Sequence, residues 1–198
     1  VRMKQQQPEM SPSRVWRFAT AAGISALFLV FDQITKAVVR NALALGVPGP
    51  ELIPGVIRLL YVQNVGAAFS LGEGLGGAFV LLALAVIAAT VWYLWKTPLL
   101  SHLEVVGLAM VVGGAVGNAI DRLTCGYVVD FFATEFIDFP VFNVADIGIT
   151  VGVVLAFIGF TFFSPANKVD ATAELNRRDA QARAKREAKR AARKKGDS

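Results

Sequence analysis

Two carboxylates that share one proton can activate a water molecule, one as base and the other as acid, with no cofactor. This chain has candidates for such a pair. Asp130 lies in a Phe-rich segment, YVVDFF, and Asp146 lies near the start of a long apolar run. Asp32, Lys36, Asp121 and Arg122 are further charges in or beside apolar segments. Asn64, Asn118 and Asn143 join them at expected helix or strand ends. A charge in a membrane-length helix is costly and is a functional hypothesis by default. Each also has a plainer reading. Asp32 and Lys36, four apart, would make a helix-face ion pair. Asp121 and Arg122 would be a helix-terminal pair, and Asp130 a surface acid. Asp146 resists such a reading, because a carboxylate one turn inside an apolar helix needs a partner. Asn143, three residues earlier, shares its face.

Other chemistries lack their parts. The one histidine, His102, falls in an expected loop, and no G-x-S-x-G occurs, so a Ser-His-Asp site is not supported. The one cysteine, Cys125, excludes a disulfide framework, a thiol pair and a Cys-rich zinc site. A single histidine also excludes two-His metal motifs, so neither a metal nor a cofactor is expected. A Ser–Lys dyad would need Ser70 beside Lys36, and nothing in the sequence favours that pairing.

The elements that carry these residues are membrane-like. Of the 198 residues, 55% are hydrophobic and 18% charged, against about 25% charged in soluble domains. Gly76–Trp95 is free of charge and long enough to span a hydrocarbon core. Val105–Ile120 is a second charge-free run, and Val141–Phe163 carries only Asp146. Phe18–Phe31 is apolar, and a helix can continue through Asp32 and Lys36 to Val39. The expected fold is mainly α and polytopic, with four transmembrane helices near 15–38, 76–96, 103–122 and 142–163. Ala42-Leu43-Ala44 resembles a signal-peptide cleavage site, but Asp32, Lys36 and Arg40 precede it, so the first helix is expected to stay uncleaved. Val56–Val62 and Tyr127–Phe132 are β-prone and predict a small extracytoplasmic sheet at the bilayer surface. Gly113/Gly117 and Gly148/Gly152 are G-x-x-x-G pairs that would pack the third and fourth helices closely.

Charge locates the ends. The net charge is +5, but residues 167–198 hold 11 Lys/Arg and 5 Asp/Glu, so the basicity belongs to the tail. The body gives no reason to bind nucleic acid. The basic tail and the basic N-terminal flank place both termini in the cytoplasm, and segments about 40–75 and 123–141 outside. Three parts follow: an N-terminal extension over 1–14, a four-helix domain over 15–166, and a tail over 167–198 that is a solvated helix or disordered. The tail could be drawn to anionic membrane lipid. With this orientation the polar residues of all four helices gather at the outer end. A small ion transporter would instead place its acids near midplane, and a noncatalytic scaffold gives no reason for two acids beside an aromatic segment.

Four blocks in order then become recognisable: FDQITK (Phe31–Lys36), NVGAAFS (Asn64–Ser70), GGAVGNAIDR continuing to GYVVDF (Gly113–Phe131), and FNVADIGI (Phe142–Ile149). As a set they resemble the bacterial lipoprotein signal peptidases, signal peptidase II, over most of residues 15–165. The resemblance implies an aspartic endopeptidase of the bacterial cytoplasmic membrane with Asp130 and Asp146 as its catalytic pair. It implies supporting or substrate-binding roles for Asp32, Lys36, Asn64, Asn118, Asp121, Arg122 and Asn143, and close packing at Gly66, Ala68, Gly114 and Ala145. The implied substrates are prolipoproteins whose cysteine carries a diacylglyceryl group, cut just before that cysteine. A monomer would suffice, since both aspartates lie in one chain.

Overall fold

The computed structural model describes residues 11–66, 75–165 and 180–181. The N-terminal extension, the tail and the positions Ala68 and Ser70 lie outside or almost wholly outside the described residues. Four membrane-length helices form, with a three-stranded antiparallel sheet. Helix α1 is Arg14–Ala42, α2 is Gly76–Lys96, α3 is His102–Cys125 and α4 is Val144–Ile158, which continues as a π-helical turn over Gly159–Phe163. Strand β1 is Pro48–Ile53, β2 is Ile57–Asn64 and β3 is Val128–Thr134.

Local chemistry sets the helix ends. Ser13 caps α1 by accepting from the Trp16 amide. Ser101 and Glu104 form a reciprocal capping box at the start of α3, and Gly126 closes α3 in the left-handed region at φ 80°. α1 runs further than expected. Its 29 residues span about 44 Å at 1.5 Å per residue, more than a hydrocarbon core of about 30 Å. Its last turns pack against the sheet, where Val39 joins Tyr61 and Val129. α4 starts two residues later than expected, because Asn143 is its N-cap.

The sheet order is β1-β2-β3. Val62 faces Asp130 across the β2–β3 ladder, and Asn64 faces Val128. β1 was not expected as a strand, and it carries Pro48 and Pro50, which are unusual in one. As an edge strand it tolerates them, since a proline need not donate outward. Gly55, at φ 68°, makes the turn into β2.

Small residues let the helices close. The structure corrects one expectation here. Gly113 faces α1 and not α4, while Gly117 sits between Asp32 of α1 and Ala145 of α4. A Cβ at Gly113 would lie 2.8 Å from the Ser25 carbonyl oxygen, and one at Gly117 would strike Asp32 Oδ2. The α3–α4 contact is made chiefly by Gly107, Gly114 and Gly152. A Cβ on Gly107 would strike the Gly152 carbonyl oxygen and the Ala156 nitrogen, both backbone atoms that cannot swing away. Gly107→Val is therefore expected to destabilise by about 3 kcal/mol, the upper part of the range for overpacking. Thermal unfolding in detergent should show a fall of about 5 °C or more for a chain of this size.

Two apolar clusters fix the two ends. Val39, Tyr61, Val129, Phe131 and Val144 join α1, the sheet and the start of α4. Leu94, Leu100 and Val105 close the opposite end, packed by Trp16 and Phe18. There the buried Arg17 donates to the carbonyls of Thr97 at 2.5 Å and Pro98 at 2.8 Å, satisfying backbone groups that the end of α2 leaves open. Leu81, Trp92, Phe157 and Phe162 point outward, as side chains facing lipid should.

Candidate active site

The site starts from a buried cation. Lys36 on α1 is fully buried, and its ammonium meets Asp32 Oδ2 at 2.9 Å, Asp121 Oδ2 at 3.0 Å and Asn118 Oδ1 at 2.8 Å. An ammonium has three donors and no acceptor, so all three are used. Asp32 and Lys36 thus form more than a helix-face pair. Asp32 Oδ1 accepts from the Ala145 amide of α4 at 2.9 Å, and Asp121 Oδ2 accepts from the Val129 amide of β3 at 3.0 Å. One ionic cluster therefore ties α1 to α3, to the strand bearing Asp130 and to the helix bearing Asp146.

The cluster also orients an amide. Lys36 can face only an acceptor, so Asn118 must turn Oδ1 toward it. Its Nδ2 then points away and donates to Asp146 Oδ1 at 2.8 Å. Asp146 Oδ2 accepts from the Asn143 amide at 3.0 Å, while the Asp146 amide donates to Asn143 Oδ1 at 3.0 Å. This is the capping box of α4, and it holds Asp146 in the first turn, at the positive end of the helix.

Asn143 bridges the two acids. Its side-chain nitrogen donates to Asp130 Oδ1 at 2.6 Å and to Asn118 Oδ1 at 3.1 Å. Asn64, at the end of β2, donates to Asp130 Oδ2 at 2.9 Å. Asp130 is 2% exposed. Burial first, and then the nearby Asp146 charge, together raise its pKa to about 7, against hydrogen bonds from Asn64 and Asn143 and the Lys36 charge.

Both acids line a cavity of about 630 Å³ between α2, α3, α4 and the segment before α4. Its walls are largely apolar, with Phe79, Ala83, Val86 and Phe142 among them. Arg122 crosses one side. It donates to the Gly66 carbonyl at 2.8 Å and lies over the Phe79 ring at 4.8 Å. Gly66 in turn donates its amide to Asn64 Oδ1 at 2.9 Å. Gly114 sits behind Ala145, where a Cβ would strike the Ala145 carbonyl oxygen.

Twelve of the thirteen residues singled out from the sequence are thus in one contiguous assembly: Asp32, Lys36, Asn64, Gly66, Gly114, Asn118, Asp121, Arg122, Asp130, Asn143, Ala145 and Asp146. Ala68 lies outside the described residues. Gln33 was missed. Its side-chain nitrogen bridges Asp32 at 3.1 Å, Asp121 at 3.2 Å and the Gly117 carbonyl at 3.3 Å. The clue was available: Gln33 lies between Asp32 and Lys36, directly after the apolar run Phe18–Phe31. Among the described residues no group of His, Cys, Asp and Glu is arranged to hold a metal ion.

Four membrane-length helices with a carboxylate pair on the wall of an end cavity define a multi-pass membrane protein with a built acidic site. Comparison with known proteins takes this further. The family model described as signal peptidase (SPase) II matches residues 24–162, and the chain belongs to that family. It is 40% identical over 141 residues to the lipoprotein signal peptidase of Lactobacillus johnsonii, spanning 71% of this chain and 91% of the relative. It is 42% identical over 130 residues to that of Lactococcus lactis, spanning 66% and 85%. A solved bacterial membrane enzyme, determined by the in meso method at 2.3 Å resolution, superposes with a TM-score of 0.67 at 32% identity, covering 72% of this chain and 87% of that one. The protein is thus a multi-pass bacterial membrane protease, and the transporter and scaffold readings are not favoured.

Proposed function

We propose that this protein removes the signal peptide from diacylglyceryl-modified prolipoproteins, cutting just before the lipidated cysteine, with Asp130 and Asp146 as the catalytic pair. The observation that carries this reading is the bridge through Asn143, which holds both carboxylates on the wall of one cavity. Asp130 is the more buried acid and keeps its proton up to about pH 7. Asp146 sits in the first turn of α4, where the Asn143 amide and Asn118 Nδ2 both donate to its carboxylate. Asp146 takes a proton from water as the hydroxide attacks the carbonyl of the residue before the cysteine. Asp130 gives its proton to the leaving amine as the peptide bond breaks. The pair then holds one proton fewer on Asp130 and one more on Asp146, and a proton exchange between them restores the start. Hydrogen bonds from Asn64, Asn118 and Asn143 keep the carboxylates in place.

The termini are cytoplasmic and the site faces outward, consistent with the basic flanks. The acyl chains of the substrate stay in lipid while the peptide enters between the helices. One chain contains the whole site, so a monomer is sufficient. The test is cleavage of a diacylglyceryl-modified prolipoprotein by the purified protein in detergent. Cleavage confined to the lipidated substrate is expected; equal cleavage of the unlipidated form would overturn the substrate assignment.

A pH profile follows from Asp130. Its pKa is raised to about 7, so the proton needed by the leaving amine is present below that pH and lost above it. The pair titrates as a unit. Turnover should therefore fall as pH rises through about 7, tending to about tenfold per unit well above it. A rate that is flat from pH 6 to 9 would remove Asp130 from the acid role.

A further inference from the structure

The cavity at the catalytic pair is not the end of the opening between the helices. α2 and α4 both pack on α3 and scarcely touch each other. A second cavity of about 410 Å³ lies further along the same opening, lined by Thr90, Tyr93, Glu104, Leu108, Ala156 and Phe160. One stripe of α3 lines both. Asn118, Ala115 and Val111 line the first cavity, Leu108 and Glu104 the second. Their spacings of three and four residues put them on one helix face.

Glu104 stands at the far end of this stripe. It is 2% exposed. It accepts from the Tyr93 hydroxyl at 3.0 Å and from the Ser101 amide at 2.6 Å. No cation pairs with it among the described residues. Arg17, the basic group near it, spends its guanidinium on backbone carbonyls. Two hydrogen bonds leave lone pairs on both carboxylate oxygens. The second cavity therefore has a buried acid, a tyrosine and a phenylalanine on its walls, a lining suited to an alkyl-borne cation.

The spacing identifies the occupant. Asn118, which holds Asp146, and Glu104 are fourteen residues apart on α3, or about 21 Å along the axis. A signal peptide has an apolar stretch of about 7–15 residues after its basic start, which spans about 10–22 Å as a helix. A substrate whose scissile bond lies at Asp130 and Asp146 would thus bring its basic start to the level of Glu104. We infer that the opening between α2 and α4 seats the signal-peptide helix, and that Glu104 in the second cavity receives a Lys or Arg side chain from the basic start of that peptide. The inference rests on the peptidase reading above.

The test compares two diacylglyceryl-modified prolipoproteins, one with lysine in the basic start and one with those lysines changed to glutamine. The wild type should show a KM for the lysine form lower by about fivefold, the effect of about 1 kcal/mol. Glu104→Gln, which keeps the shape of the side chain, should bring the two KM values to within about twofold. Ala89→Phe fills the second cavity, which Ala89 also lines, and leaves Glu104 in place. It should raise KM for the lysine form even if Glu104→Gln fails to fold. Equal KM values in the wild type would overturn the inference. So would a preference that survives Glu104→Gln, since it would then come from the membrane surface. So would an Ala89→Phe protein with unchanged KM. Failure of the wild type to cleave either substrate would instead overturn the peptidase reading, and this inference with it.

Discussion

Asp146→Asn should lose cleavage of lipidated prolipoprotein by about 10³-fold or more while the protein stays folded, and Asp130→Asn should do the same. The size follows from the role. A positioned acid or base contributes about 10²–10⁴, and the effects of groups that act as a unit do not add. The double variant should therefore be little worse than either single one. Retention of the fold follows from the bonding. Asparagine keeps one acceptor at each site, so Asn143 and Asn118 at Asp146, and Asn143 and Asn64 at Asp130, lose part of their pairing. The expected cost is about 1 kcal/mol, a shift of a few degrees in melting. Burial of the Asp130 charge works the other way. With its pKa raised from 3.8 to about 7, its protonation contributes fully to stability below about pH 4, and that contribution is lost progressively as pH rises to about 7. At pH 8, Asp130→Asn removes a carboxylate that the fold must bury ionised. A single-turnover assay beside a melting curve checks both halves. An Asp146→Asn protein with full cleavage would sink the assignment.

Lys36→Met should be strongly destabilising, although Lys36 is expected to touch no substrate. It leaves Asp32 and Asp121 buried together, at 0% and 1% exposure, without their cation. Removing one partner of a buried ion pair costs about 3–5 kcal/mol, which lowers the melting temperature by about 10 °C at this size. Lys36→Arg should not restore the protein, because the planar fork of arginine does not fit a site built for three converging partners. Adding Asp32→Asn and Asp121→Asn to Lys36→Met should recover part of the melting temperature but not the activity. Asn118 would no longer be forced to turn its oxygen inward, and its hold on Asp146 would relax. Melting and turnover that recover together would show that the cluster acts on stability alone.

The four helices were legible because lipid demands long apolar runs, and a twenty-residue run without a charge has few other meanings. The polar residues were legible for the converse reason, since each was out of place. What they do for one another was not. Asp32 and Lys36 read as a simple pair because spacing along one helix says nothing of Asp121 or Asn118 on another. The strand at Pro48–Ile53 was hidden because two prolines look like a loop until the edge position is known. Gly113 pointed to the wrong neighbour, since a small-residue stripe shows that something comes close but not which helix. Gln33 was overshadowed by the charge beside it.

The capping box at Asn143 and Asp146 has a consequence for how the enzyme can fail. Two of the bonds that begin α4 also aim the carboxylate, and only the bond from Asn118 on α3 holds Asp146 from outside its own helix. Fraying of a single helical turn would disconnect the acid from its bridge to Asp130. Loss of activity on heating would then be a local event that reverses on cooling, well before the bundle itself comes apart.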